Sequence, residues 1–203
     1  MKSMYLILSL SVFLLGSASA QIINLDAKTN GNASPVNLNL DAGTYTIDPI
    51  GITAGGDFDA WNAWGKTTCT SLNGCTRTIP TTVFGWLNVY SFGSADLTNV
   101  TINGLAATPD VGVNYYAGPF VAYADAASAL ANAWSAQFTL TAASIVSFNL
   151  PDSKLTDNLG GMSLDLNMVS TPTQSVPEPE SIALIGLGLM GLAAIRRRRN
   201  KTA

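Results

Sequence analysis

The stretch NLPDSKLTDNLGGMSLDL, residues 149–166, holds the residues best suited to chemistry in this chain. Asp152, Asp157 and Asn158 place three side-chain oxygen donors close together, and Gly160 and Gly161 let the backbone turn and present carbonyls. Calcium takes about 6–8 hard oxygen ligands of these types. The same residues also suit a hairpin turn whose Asp and Asn side chains satisfy their own backbone, and the spacing does not choose between the two. A second constellation is GGDFDAWNAWG, residues 55–65. Trp61 and Trp64, in a Gly- and Asn-rich loop beside carboxylates, would stack on the apolar face of a sugar ring if exposed; otherwise they cap one end of the fold. Cys69 and Cys75 are the only cysteines. In an exported chain so close a pair forms a disulfide closing a small loop; the alternative is a two-thiol metal site completed by carboxylates.

Some chemistries are closed. The chain has no histidine, which removes Ser-His-Asp and Cys-His triads and the usual His-containing zinc sites. A glycosidase remains open through two aspartates about 5–9.5 Å apart, one with a raised pKa. The sequence offers eleven aspartates between residues 21 and 176 and no way to pair them. Lys28, Lys66, Arg77 and Lys154 are the only basic groups there, so this part carries a net charge of −7, with eleven acidic groups against four basic. Such a surface repels phosphate backbones and argues against a nucleic-acid partner.

The elements that must position these residues read as strands. VNLNL (36–40) alternates strictly, and TYTI follows after DAG. TTVFGWLNVYSF, LTNVTI, AQFTL, SIVSFNL and MSLDLNMV continue the pattern, separated by Gly, Asn, Asp and Pro clusters. Only VAYADAASALANAW (121–134) reads as helical, from its alanines, or else as a small-residue loop. About eight short strands predict an all-β domain, an antiparallel β-sandwich or jelly roll. Tyr45, Phe84, Trp86, Phe138 and Phe148 lie in strand patterns and are expected in its core. The threonines follow no fixed period, which weighs against the regular array an ice-binding surface needs.

The ends have another character. Lys2, the apolar run from Met4 to Gly16, and small residues ending in Ala18 and Ala20 predict a signal peptide over 1–20, cut by signal peptidase after Ala20; a buried N-terminal helix is the alternative. The expected organisation continues with a β-sandwich domain at 21–170 and a linker at 171–180. A transmembrane helix at 181–195 and a basic cytoplasmic tail at 196–203 complete it. The helix would be roughly 22 Å long, short of the ~30 Å hydrocarbon core. Arg196, Arg197, Arg198 and Arg199 extend its reach by snorkelling and hold that end in the cytoplasm. Gly186, Gly188 and Gly191 have the spacing of a dinucleotide fingerprint, but neither the preceding strand nor the later acidic residue is there.

Val176-Pro177-Glu178-Pro179, the apolar helix and the arginine cluster stand in the order of a PEP-CTERM sorting signal, which this tail resembles. The resemblance covers about the last 27 residues. It implies an exported protein of a Gram-negative bacterium, anchored in the inner membrane by its C-terminal helix. An exosortase-type membrane enzyme would recognise Pro177, Glu178 and Pro179 and process the chain for the cell surface or the extracellular matrix. Such proteins are associated with extracellular polysaccharide and biofilm. In the middle, LNLDAGTYTIDPIG and LPDSKLTDNLGGMSLDL resemble jelly-roll domains similar to calcium-dependent lectins. That resemblance implies a calcium ion at Asp152, Asp157 and Asn158 bridging to sugar hydroxyls, although the loop is shorter here than in the lectins. The resulting expectation is a surface or matrix protein that binds exopolysaccharide. A glycosidase, or a structural or ice-binding surface protein, is the alternative.

Overall fold

The computed structural model describes residues 20–76 and 83–170. The expected signal peptide (Ala20 apart), linker, membrane helix and basic tail lie outside these residues. Among the described residues no helix is long and apolar enough to cross a membrane.

Eleven strands and one short helix are found among the described residues. In chain order they are β1 (Gln21–Asp26), β2 (Val36–Leu40), β3 (Gly43–Ile50), β4 (Trp61–Asn62), β5 (Tyr90–Gly93), β6 (Leu97–Ile102), β7 (Leu105–Ala106), β8 (Asn114–Ala117), α1 (Ala126–Ala131), β9 (Ala136–Leu140), β10 (Ser144–Asn149) and β11 (Leu159–Ser170). The larger sheet runs β1-β11-β3-β9-β6-β7, with β4 also paired to β11; the smaller runs β2-β10-β5-β8. The pairings between these strands are antiparallel. The all-β expectation holds.

Period-two patterning puts the core between the sheets. On β3, Tyr45 and Ile47 point inward and are buried, while Thr44, Thr46 and Asp48 alternate outward. Phe138 and Leu140 on β9, Phe92 on β5, and Val146 and Phe148 on β10 are fully buried. Aromatic rings join the layers. Tyr45 stacks on Phe138 at 5.3 Å between centroids, Phe138 on Phe92 of the opposite sheet at 5.8 Å, and Phe92 on Tyr115 at 5.5 Å. Offset stacks of this kind add to the area they bury. Tyr45 also fixes the corner where the chain leaves the smaller sheet for the larger, because its hydroxyl donates to the Asp41 carbonyl at 2.9 Å. The Tyr90 hydroxyl donates to the Trp134 carbonyl, and burial, reinforced by Asp48, raises its pKa well above the phenol's ordinary value.

The helix is shorter than its alanine pattern suggests. Asp125 caps it by accepting from the Ser128 amide at 2.7 Å, and Ala129 packs into a small satellite core with Ala60 and Tyr123. Of the run expected as one strand from Thr81 to Phe92, Thr81 and Thr82 lie outside the described residues, and the rest is regular only from Tyr90 onward. Before that, Trp86 and Leu87 make isolated bridges to Tyr123 and Trp61. Phe84 and Trp86 are only partly buried, whereas Tyr45, Phe138 and Phe148 are core as expected.

Phe138 contacts rings in both sheets, so its loss opens a cavity at the centre. Phe138→Ala is expected to destabilise the protein by about 3–5 kcal/mol, read as a lower urea midpoint.

Candidate functional site

The start of β11 builds the site. Leu159 and Gly160 pair with Asn62 and Trp61 of β4. Gly160 has a φ of +72°, and a Cβ there would collide with the Ala60 carbonyl, so only glycine permits this approach. Trp61 exchanges two backbone hydrogen bonds with Leu87, and its indole Nε1 donates to the Val89 carbonyl at 3.0 Å. The side chain is 2% exposed. This corrects the picture of Trp61 as an open stacking plane: its indole is a fixed wall, locked by strand pairing on two sides.

Trp64 is half-buried. Asn62, itself buried, folds the loop beneath it. Its Oδ1 accepts from the Trp64 amide at 3.0 Å and its Nδ2 donates to the Lys66 carbonyl at 2.9 Å. The Trp64 ring meets Phe84 edge-on at 5.3 Å, and the Lys66 ammonium sits 3.8 Å from the Phe84 ring centre. Just beyond, Cys69 and Cys75 form the expected disulfide, with their Cα atoms 5.8 Å apart.

The aspartate loop is held by the segment after β1. Leu150 donates its amide to the Asn30 carbonyl at 2.8 Å, and Asn32 donates to the Asp152 carbonyl at 2.9 Å. Asp152 Oδ1 accepts from the Lys154 amide at 3.0 Å, an Asx-type turn. A 3-10 turn over Leu155–Asp157 then brings the Lys154 ammonium to 2.8 Å from Asp157 Oδ2. That hydrogen bond lowers the pKa of the Asp157 carboxyl and raises that of Lys154. Asn158 is buried and donates from Nδ2 to the Ala27 carbonyl at 2.9 Å.

The two loops meet. A cleft of about 310 Å³ is lined by Trp61, Trp64 and Phe120 and by Asp152, Lys154 and Asp157, with Leu87 and Val89 among its apolar lining residues. The structure thus joins four of the five residues expected to bind sugar or metal. Asn158 is not among the lining residues and is tied to the segment after β1. Phe120, 56% exposed, was not foreseen. Its only signal is a large aromatic beside Gly118-Pro119, away from any alternating pattern.

As a metal centre the loop is incomplete in acidic groups. Among the described residues no cluster of three or more His, Cys, Asp or Glu stands together. Asp157 Oδ1 and Asn158 Oδ1 are nevertheless buried with no hydrogen-bond partner among the described residues, as are Asn88 Oδ1 and Asp165 Oδ1. Buried polar atoms are seldom left this way.

Residues 175–199 match the PEP-CTERM protein-sorting motif. The motif marks an exported chain, anchored in the membrane before processing by an exosortase-type enzyme. No curated protein and no solved structure gives a match to this chain, and the expected likeness of the β domain to calcium-dependent lectins has no support.

Removing the Lys154 ammonium should return the Asp157 carboxyl toward its ordinary affinity for protons. In Lys154→Met, Asp157 is expected to titrate at higher pH than in the wild type, followed by carboxyl carbon NMR. The lowered value means that Asp157 stabilises the wild-type fold above its unfolded pKa, near ~3.9, and loses this contribution as pH falls through the folded value. The variant should lack that acid-side dependence.

Proposed function

We propose that this exported, exosortase-processed protein is a surface or matrix protein whose β domain binds an extracellular polysaccharide in the cleft between the Trp61–Trp64 loop and the Asp152–Asp157 loop. One observation carries the reading: segments far apart in the chain converge on one concave site that combines aromatic rings with carboxylates and an ammonium. Rings supply apolar planes for sugar faces, while charged oxygens and nitrogens supply strong hydrogen bonds for hydroxyls. The sorting motif supports the reading, since an exported chain would meet such polymers outside the cell.

The test is affinity electrophoresis of the full-length protein in mild detergent against gels carrying different polysaccharides. Retardation by at least one polymer is expected. Trp64→Ala should weaken it about tenfold, equivalent to ~1.4 kcal/mol. Binding that Trp64→Ala leaves untouched places any sugar elsewhere, and the absence of retardation by every polymer removes the reading.

A calcium bridge is the second reading, favoured by the unpartnered Asp157 Oδ1 and Asn158 Oδ1. Asp152, Asp157 and Asn158 would supply oxygen ligands, and the ion would offer its remaining positions to sugar hydroxyls. Lys154 already places a positive charge on Asp157 Oδ2 and would compete with the ion. Calorimetric titration of the full chain with calcium, with magnesium as control, should then give a calcium-selective signal. It should be lost in Asp157→Ala and strengthened in Lys154→Met. A flat calcium titration in both wild type and Lys154→Met ends the calcium reading.

A further inference from the structure

We propose that the cleft selects glycans carrying free amines over glycans carrying carboxylates. The inference rests on the polysaccharide reading and names the class of polymer. Three charged side chains line the cleft, and two of them cancel: the Lys154 ammonium is 2.8 Å from Asp157 Oδ2. Asp152 remains. It is half-buried, spends Oδ1 on the Lys154 amide, and takes part in no ion pair among the described residues. Its carboxylate also acts through space on the Lys154 ammonium, and with that ammonium already paired to Asp157 the three charges leave one net negative charge in the cleft.

The other lining groups point the same way. An ammonium is attracted both to a carboxylate and to the face of an aromatic ring, and the half-buried Trp64 and the exposed Phe120 supply rings in the cleft that Asp152 lines. A ligand carboxylate is repelled by both. Beside the cleft the protein already makes such a contact, with the Lys66 ammonium 3.8 Å from the centre of the Phe84 ring that stands against Trp64. The wider field has the same sign, since residues 21–176 carry a net charge of −7, eleven acidic groups against four basic. Clefts with low-dielectric walls focus such a field.

The experiment uses full-length protein in mild detergent at low ionic strength and three immobilised polymers of similar length. They are an N-acetylglucosamine polymer, its de-N-acetylated form and a polyuronate. The amine polymer is expected to bind at least about tenfold tighter than the polyuronate, with the neutral polymer between. Added salt should narrow the difference, because the Debye length falls to about 10 Å at 0.1 M. Asp152→Asn keeps an Oδ1 acceptor for the Lys154 amide but removes the charge. It should bring the amine-to-uronate ratio to within about twofold, and that ratio is the readout whatever the variant does to overall affinity. A polyuronate that binds as tightly as the amine polymer overturns the inference. So does a ratio unchanged in Asp152→Asn, which would assign the preference to the overall charge. Trp64-dependent binding without charge ranking removes this inference and leaves the polysaccharide reading standing; no binding to any polymer removes both.

Discussion

The structure depends on where its last strand goes. β11 lies between β1 and β3, and its first residues also pair with β4. Met162, Leu164 and Leu166 fill the core from it. The larger sheet therefore joins the first strand of the domain to the last, a contact of large sequence separation whose loop-closure entropy must be met before the pairing rewards it. The start of this strand positions the candidate cleft, and its end leads in sequence to the sorting motif. Its start, through Gly160, draws β4 in and so sets Trp61 and the loop carrying Trp64. Its end at Ser170 precedes the sorting motif at 175–199 by a few residues of chain. The chain can complete its sheet only once nearly everything before the sorting signal is available.

How much of this was legible depends on whether a signal is local. β2, β3, β9 and β10 follow from alternation alone, because each buries one face and shows the other to water; β6 comes from the same kind of run, but a register shift between Thr98 and Thr101 breaks its alternation. β1 escaped notice although Ile23 and Leu25 alternate correctly. It follows the expected cleavage site directly, with no turn residues to set it off. Phe84, expected in the core, is only partly buried, and Trp61 takes the buried one of its two expected places, for one reason. Burial in this region comes from bridges between distant segments, Trp61 to Leu87 and Trp61 to Gly160, which no local period reports. The cleft itself is of this kind: each loop was visible, and their meeting was not.

The outward face of the larger sheet makes the same point. Thr44, Thr139 and Thr98 have no common sequence period, yet pairing places them in one row across β3, β9 and β6. A threonine row is the feature expected of an ice-binding surface, and only the fold reveals one here. Its hydroxyls are engaged within the sheet: Thr44 and Thr139 share a hydrogen bond of 3.1 Å, and Thr98 donates to the Thr139 carbonyl at 3.1 Å. Strand twist of roughly 20–25° per step also turns such a row away from a plane. The row reads more simply as cross-strand pairing that stabilises the sheet.

The alternative of sugar hydrolysis bears on the same cleft, since two aspartates line it. A glycosidase of that type needs one carboxyl held protonated near neutral pH by burial or a neighbouring negative charge. Asp157 is moved the opposite way by the Lys154 ammonium, which favours the ionised form. Asp152 Oδ1 accepts a hydrogen bond from the Lys154 backbone amide. Asp157, paired with an ammonium, is thus poorly arranged to deliver a proton. That arrangement is the reverse of what the general acid of such an enzyme requires, and it agrees with the proposed binding role.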